Sequence, residues 1–425
     1  MNMNERIECK GYWWSKSNPE KNVAGSLIFS PHDSIVLELI GSFYEEDFVE
    51  VFLQQKQENI IYGLTSESKK VTLVNCSAYG SLNSSCPFPI QKYTCQYLII
   101  GTHIDDIEQC KFFKADVEYP LLSNWCNPCA IYTSLRWTEN GKIDGINISF
   151  NSNREHIDSV SIDDRTQLIL NSRINYEGNY HSPKIEQYTF LNIVKNTNAS
   201  IPDFLSDIAI YEKFLSFATM QEVRCSDIKL YSQEEYQEIN NEKSYNSIQL
   251  LYIHSDYTPP IEKHSCHFLF NYNWVKDKYP IILKKWYSDS DIAPIRQHLI
   301  DSIKPKKVFS SVDFLIVVQA IEGFHIRFRK EVSLTETMNQ LIEEFSDIYK
   351  IKQDTINVRE VVDSRNYYSH FMDRKKKKHI VDGYDLYILT IKLKRLLVCC
   401  LLNFIGFEND EINMILTKSS NPLFR

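Results

Sequence analysis

The chain reads as an α+β protein: a β-rich N-terminal region with sandwich- or barrel-like sheets, followed by an all-α helical bundle. Three observations predict this. Between Gly11 and about Ile300, short apolar runs recur with Gly, Asn, Ser and Pro between them. From Ser311 onward, apolar side chains recur at three- and four-residue spacing instead. Aromatic residues make up 13% of the chain, with 25 Tyr and 23 Phe, which favours strands and large buried side chains. At 425 residues the chain is too long for one ordinary core. The composition changes between about Ser288 and Ser311, giving a regulatory region over 1–300, divisible again near 145–200, and a helical domain over 301–425.

The strands are taken in order. Ser34–Ile40, Lys70–Val74 and Cys95–Ile100 are apolar-rich runs, and Gly145–Phe150 alternates apolar and polar side chains as a half-buried strand does. Gln167–Leu170, Glu186–Leu191 and Ser247–Ile253 follow. One clear helix interrupts them over Pro202–Thr219, with Phe204, Leu205, Ile208, Tyr211, Phe214 and Leu215 at helical spacing.

Four or five helices follow. Phe314, Val317, Val318, Ile321, Phe324 and Phe328 form the first stripe. Ser333-Leu334-Thr335-Glu336 is a capping-box pattern opening a second helix, whose stripe runs from Met338 to Tyr349. A third helix runs from about Thr355 through His370. The fourth and most apolar carries Leu386, Leu389, Leu393, Leu397, Leu401 and Phe404, with Gly406 placed for a left-handed stop. A short last helix covers Glu411–Leu416. Such elements make an antiparallel bundle.

Bulk properties restrict function. A formal charge of −8 excludes global basicity, so any nucleic-acid surface is local. No apolar run approaches the ~18–20 residues that span a bilayer, and Met1–Arg6 lacks the apolar core of a signal peptide, so a cytoplasmic protein is expected. Eleven scattered cysteines in such a chain read as free thiols rather than a disulfide framework. Cys126-Asn127-Pro128-Cys129 is the one C-x-x-C; a structural zinc on Cys126 and Cys129 would need two more ligands, from Cys76, Cys86, Cys95, Cys110 or His103. Trp13 and Trp14 could mark a ligand-facing surface, with core packing the default, and His325 reads as a residue packed in the bundle.

The chemistry-bearing stretch is Ser364-Arg365-Asn366-Tyr367-Tyr368-Ser369-His370, followed by Arg374-Lys375-Lys376-Lys377-Lys378. Arginine offers a permanently charged planar fork suited to phosphate oxygens, and histidine exchanges protons near neutrality. RNA can be cut with no catalytic cofactor when a base takes the 2′-hydroxyl proton, an acid protonates the leaving 5′-oxygen and a cation steadies the phosphoryl oxygens. His370 and Arg365 are the side chains for this, and a second histidine would come from a homodimer. On a regular helix Asn366 and His370 share a face, whereas Arg365 is rotated away, so it must lie near a helix end, reach around, or act on a substrate shared between subunits. By spacing alone, an Arg and a His on one helix more often form a surface ion pair and a half-buried imidazole. The basic run and Tyr367 are candidates to hold RNA, by charge and by stacking.

The segment Arg365–His370 resembles the R-N-x-x-x-H signature of HEPN domains, small dimeric helical ribonuclease modules. Gln319–His325 is similar to their first helix, and Leu396–Gly406 to their last. More widely, the chain resembles ApeA-like proteins of bacterial anti-phage defence, through Gly11–Glu20, Val23–Leu27, Leu37–Phe43 and Phe268–Tyr287. The resemblance implies a toxic endoribonuclease of abortive infection, which cuts host RNA, with tRNA favoured, and is released by a phage-encoded trigger protein. It makes Arg365 and His370 the catalytic pair, Asn366 their polar companion and Glu322 a supporting residue. Because about 300 residues precede a module that needs far fewer, the N-terminal region is expected to cover or misalign the paired helices until infection. Two alternatives remain: a HEPN dimer that only binds or scaffolds, and a ligand-binding β-domain with a helical dimerisation tail.

Overall fold

The computed structural model describes residues 3–43, 57–79, 90–109, 111–127, 131–150, 156–179, 181–255, 257–261, 264–288, 290–304, 308–376 and 378–424. It is β-rich up to Tyr252 and helical from Tyr272 onward.

Six strands close a barrel: β1 (Ile7–Ser15), β2 (Asn18–Ser30), β3 (Ser34–Ile40), β4 (Gln57–Thr65), β5 (Lys70–Tyr79) and β6 (Ile90–Thr94). The ring runs β5-β4-β1-β2-β3-β6 and returns to β5, every pair antiparallel. Closure leaves β5 long enough to serve two partners. Its second half pairs with β6, while Val71–Val74 pair with β7 (Tyr97–Ile100). The run Cys95–Ile100, expected as one strand, is therefore split: it begins at Tyr97, after a corner at Cys95 and Gln96. Trp13, Leu27, Phe29, Leu37, Leu39, Ile61, Leu73 and Tyr93 are all buried. Trp13 needs a glycine opposite it, since a Cβ on Gly63 would lie 2.3 Å from its ring.

From β7 the sheet continues through β17 (Ile248–Tyr252), β14 (Asp227–Tyr231), β8 (Phe112–Glu118), β13 (Ser182–Ala199), β12 (Thr166–Asn179) and β11 (His156–Ser161). Two small hairpins, β9 (Ile131–Trp137) with β10 (Ile143–Phe150) and β15 (Tyr236–Ile239) with β16 (Glu242–Tyr245), stand apart.

A short helix, α1 (Leu122–Cys126), precedes the long α2 (Ile201–Thr219). Ser200 and Asp203 form a capping box at the start of α2, and Pro202 falls in its first turn, where no backbone donor is lost. α2 lies between the sheet and the helices. Phe204, Ile208, Tyr211, Phe214 and Phe217 are fully buried, and it packs on β8, β13 and a later helix, α5.

Helices begin earlier than the sequence suggests. α3 (Tyr272–Val275), α4 (Tyr279–Ser288) and α5 (Ala293–Ile303) precede the expected start at Ser311. Pro280 and Pro294 each sit in the first turn of their helix, where proline is tolerated. Trp286 of α4 stacks on Phe217 at 5.5 Å and donates its indole N–H to the Ile210 carbonyl at 3.1 Å. The Arg296 guanidinium of α5 covers the other part of that ring, 5.0 Å from its centre, and donates to the Trp286 carbonyl.

The remaining helices are α6 (Ser311–Phe328), α7 (Leu334–Glu344), α8 (Tyr349–Asp354), α9 (Val358–His370), α10 (Gly383–Phe404) and α11 (Asn409–Lys418). The predicted second helix is in fact two, α7 and α8, separated at Phe345–Ile348, although Phe345 and Ile348 stay buried across the break. The capping box at Ser333 and the left-handed Gly406 (φ +104°) are present. α6 is the central member, packing on α5, α9 and α10. Among the described residues, no helix is long and apolar enough to cross a membrane.

The Gly63 contact gives a stability prediction. Gly63→Ala forces the Trp13 ring to move inside a closed barrel, and overpacking of this kind costs about 1–3 kcal/mol. Thermal unfolding should show a lowered midpoint, whereas an unchanged one would mean that the barrel interior yields more easily than its packing implies.

Candidate active site

α9 is amphipathic, and its two faces do different work. Asn357 caps it by accepting the Arg359 N–H at 3.1 Å. Val361 and Ser364 are fully buried, and Tyr368 lies edge-on to Phe314 of α6 at 6.4 Å. These positions are three and four residues apart, so they form the inward stripe. The helix stops at Phe371, a bulky residue held in the left-handed region at φ 50° with its ring 91% exposed.

The inward stripe also ties down the segment that carries the basic run. Ser364 Oγ accepts the Val381 N–H at 3.1 Å, and the Tyr368 hydroxyl donates to the Val381 carbonyl at 3.1 Å. Asp363 accepts the His379 N–H at 3.2 Å. The chain after the motif is thus folded back along α9. Of the candidate RNA contacts, Arg374, Lys375 and Lys378 are exposed, and Arg374 pairs with Asp382 through one amino group at 2.6 Å. The Lys376 side chain and Lys377 lie outside the described residues. Tyr367 is half-buried, its ring 4.9 Å from that of Tyr368.

Beside this stripe, Arg365 turns toward α6. One amino group, Nη2, donates to Glu322 Oε2 at 3.2 Å. The other, Nη1, lies 3.0 Å from His370 Nε2 and 3.4 Å from Asn366 Oδ1. Arg365, Asn366, His370 and Glu322, expected from the sequence as a site, are thus brought together within one chain. A guanidinium can only donate, so this geometry requires an imidazole whose Nε2 carries no proton and whose proton sits on Nδ1. The Arg365 and Glu322 side chains are 28% and 24% exposed, so the ion pair contributes at most about 1 kcal/mol to stability. What Glu322 supplies is direction: it fixes one arm of the fork and leaves the other at the exposed imidazole.

The remaining candidates lie elsewhere. Cys126 is buried beside Trp125 at the end of α1, and burial pushes its thiol well up. Cys86, Cys110 and Cys129 lie outside the described residues. Cys76 and Cys95 are buried near each other by the barrel, and the His103 ring packs against Trp14 and Tyr62 with Nε2 3.0 Å from the Gly63 carbonyl. Trp13 and His325 are core residues, His325 Nδ1 lying 2.7 Å from the Lys330 carbonyl.

Among the described residues, the group with metal-ligand spacing is Glu212, Cys225 and His254, whose ligand atoms lie within 4.8 Å of one another. Its members already have partners. Glu212 pairs with Arg224 at 3.4 Å and accepts the Cys225 N–H at 2.7 Å, and His254 Nε2 lies 3.2 Å from the Cys225 carbonyl. Burial, with the Arg224 cation nearby, pushes the His254 imidazole down to about 4. These three residues are distant in sequence and share no motif, so spacing could not reveal them. The roles of Ser364 and Tyr368, by contrast, follow from continuing the Val361 stripe along the helix.

The clamp is testable. Ser364→Ala removes a buried acceptor from the Val381 N–H and should cost about 1 kcal/mol. Hydrogen exchange at Val381 is expected to quicken while the far-ultraviolet dichroism stays that of the parent. Unchanged exchange would show that the segment is held by other means.

Residues 8–286 match the model of ApeA N-terminal domain 1, and residues 315–411 match that of the Apea-like HEPN domain. No curated protein and no solved structure matches the chain. The first match covers more than half of the chain, and the second contains Glu322, Arg365, Asn366 and His370; the chain belongs to the ApeA-like proteins, HEPN-containing proteins of the defence type.

Proposed function

We propose that the protein is an endoribonuclease that needs no catalytic metal, cuts RNA, with tRNA favoured, and acts as a homodimer through its helical domain in abortive infection. The observation that supports this reading is the 3.0 Å contact between Arg365 Nη1 and His370 Nε2, on an exposed helix end beside a basic segment.

The chemistry follows from those atoms. His370 Nε2, free of its proton, takes the proton of a substrate 2′-hydroxyl. The 2′-oxygen attacks the adjacent phosphorus, and the bond from phosphorus to the 5′-oxygen breaks. The leaving 5′-oxygen takes a proton from the imidazolium of a second copy's motif. The products are a 2′,3′-cyclic phosphate and a 5′-hydroxyl. Arg365 Nη1 turns from the imidazole to the phosphoryl oxygens, where charge gathers in the transition state, while Nη2 stays on Glu322. Asn366 offers an amide beside the same group. The phage-encoded trigger and the restraint by the N-terminal region belong to the same proposal.

The test is direct. Parent protein, released from its restraint by a lysate of phage-infected cells, should cut RNA in the presence of EDTA and leave cyclic phosphate ends. His370→Ala should lower the rate by about 10²–10⁴-fold, the usual contribution of a positioned acid–base group. Arg365→Ala should be similarly poor, and Glu322→Gln should lose part of the rate without unfolding. A His370→Ala protein that cuts at the parent rate, or is equally toxic on induction, would leave only a HEPN dimer that binds.

A further inference from the structure

Arginines of the helical region are almost all engaged. Arg327 donates to the Asp291 carbonyl, Arg329 pairs with Glu344, Arg365 with Glu322, Arg374 with Asp382, and Arg395 with Asp354. Arg359 is different. Its backbone N–H caps onto Asn357, but its exposed guanidinium has no hydrogen bond or ion pair among the described residues. It borders a groove of about 380 Å³ between α9, Thr335 of α7 and the returning segment, with Lys378 on the other wall. Lys378 is exposed and likewise without a partner among the described residues. The one carboxylate in the groove, that of Asp363, accepts the His379 N–H and so fixes the segment bearing Lys378 to α9.

The placement is regular. Arg359, Asp363, Asn366 and His370 follow one another at spacings of four, three and four, so they share a face of α9. Eleven residues of helix put Arg359 ~16 Å from His370 along the axis, a span on the order of three to five nucleotides of one strand. A forked cation that lines a groove with a lysine and has no ion pair among the described residues, the nearby Asp363 carboxylate being bonded to the His379 N–H, fits a phosphodiester oxygen pair.

We propose that Arg359 and Lys378 form a second phosphate subsite, which holds single-stranded RNA on the face of α9 several nucleotides from the cleaved bond. The subsite rests on the reading of the His370 end as a ribonuclease site. It requires a strand that lies along one helix face, so unpaired segments are the substrate class and continuous duplex is not. Arg359 is a positioning residue: it holds substrate in the ground and transition states alike.

The experiment measures binding apart from cleavage. Full-length His370→Ala and His370→Ala/Arg359→Ala are compared for binding a short oligouridine RNA over a range of NaCl concentrations. Loss of one phosphate contact should lower the slope of log affinity against log salt by about 0.7, and weaken binding about fivefold near ~0.1 M salt. His370→Ala/Arg359→Lys should restore the slope, since it returns the charge. Equal slope and affinity in the first pair, a defect that lysine does not repair, or no RNA binding by His370→Ala each overturns the subsite. Cleavage by the parent is scored separately. A parent that binds with an Arg359-dependent slope but never cuts, even with a lysate of phage-infected cells, loses the nuclease reading and keeps the subsite. A parent that cuts, with salt dependence indifferent to Arg359, does the reverse.

Discussion

An arginine touches an imidazole five residues further along only where a helix permits it. Five residues turn a regular helix by about 140° beyond one full revolution, so Arg365 and His370 leave its surface in divergent directions. Two features bring them to 3.0 Å. The arginine side chain is long, and Glu322 on α6 pulls its fork sideways. The helix also ends at His370, because Phe371 turns left-handed, so no further turn stands between the ring and the fork. Neighbouring packing supports that pairing: α6 presents Glu322, and Val361, Ser364 and Tyr368 fix the rotation of α9 about its own axis.

The fold was legible wherever local pattern determines structure. β3 occupies the predicted residues, and the capping box at Ser333 and the glycine stop at Gly406 are local signals with local causes. Barrel-like sheets were legible, but which strands close the barrel was not, because closure depends on β3 finding β6 fifty or more residues further on. The same closure split the run Cys95–Ile100, since β5 had two partners to satisfy. α7 and α8 show another limit. A stripe reports which side chains are buried, and Phe345 and Ile348 are buried although the backbone between them is not helical.

At the site, the residues were legible as a cluster of types and their geometry was not. Helical spacing put Asn366 with His370 and separated Arg365 from both. The contact that spacing disfavoured is the one that forms, because spacing describes Cβ directions while a guanidinium lies several bonds beyond. Glu322 illustrates the opposite case. Its distance in sequence hides it from any motif, and it became a candidate only through the likeness of α6 to a first HEPN helix. Arg359 carried no signal at all: an exposed arginine in sequence looks like any other, and it stands out only when the partners of its neighbours are known.

The same packing joins the site to the β-rich region. α2 is buried against the sheet on one side, and on the other Phe217 stacks on Trp286, which Arg296 of α5 covers in turn. α5 packs on α6, where a Cβ on Gly323 would come within 3.9 Å of Ile295. Gly323 is the neighbour of Glu322. Close-packed side chains of this kind transmit displacement rather than absorb it. A shift of α2 relative to the sheet would therefore reach the carboxylate that aims Arg365, through α5 and α6. If the β-rich region restrains the site as proposed, it need not cover it: this line of contacts ends beside Glu322, which holds one arm of the Arg365 fork.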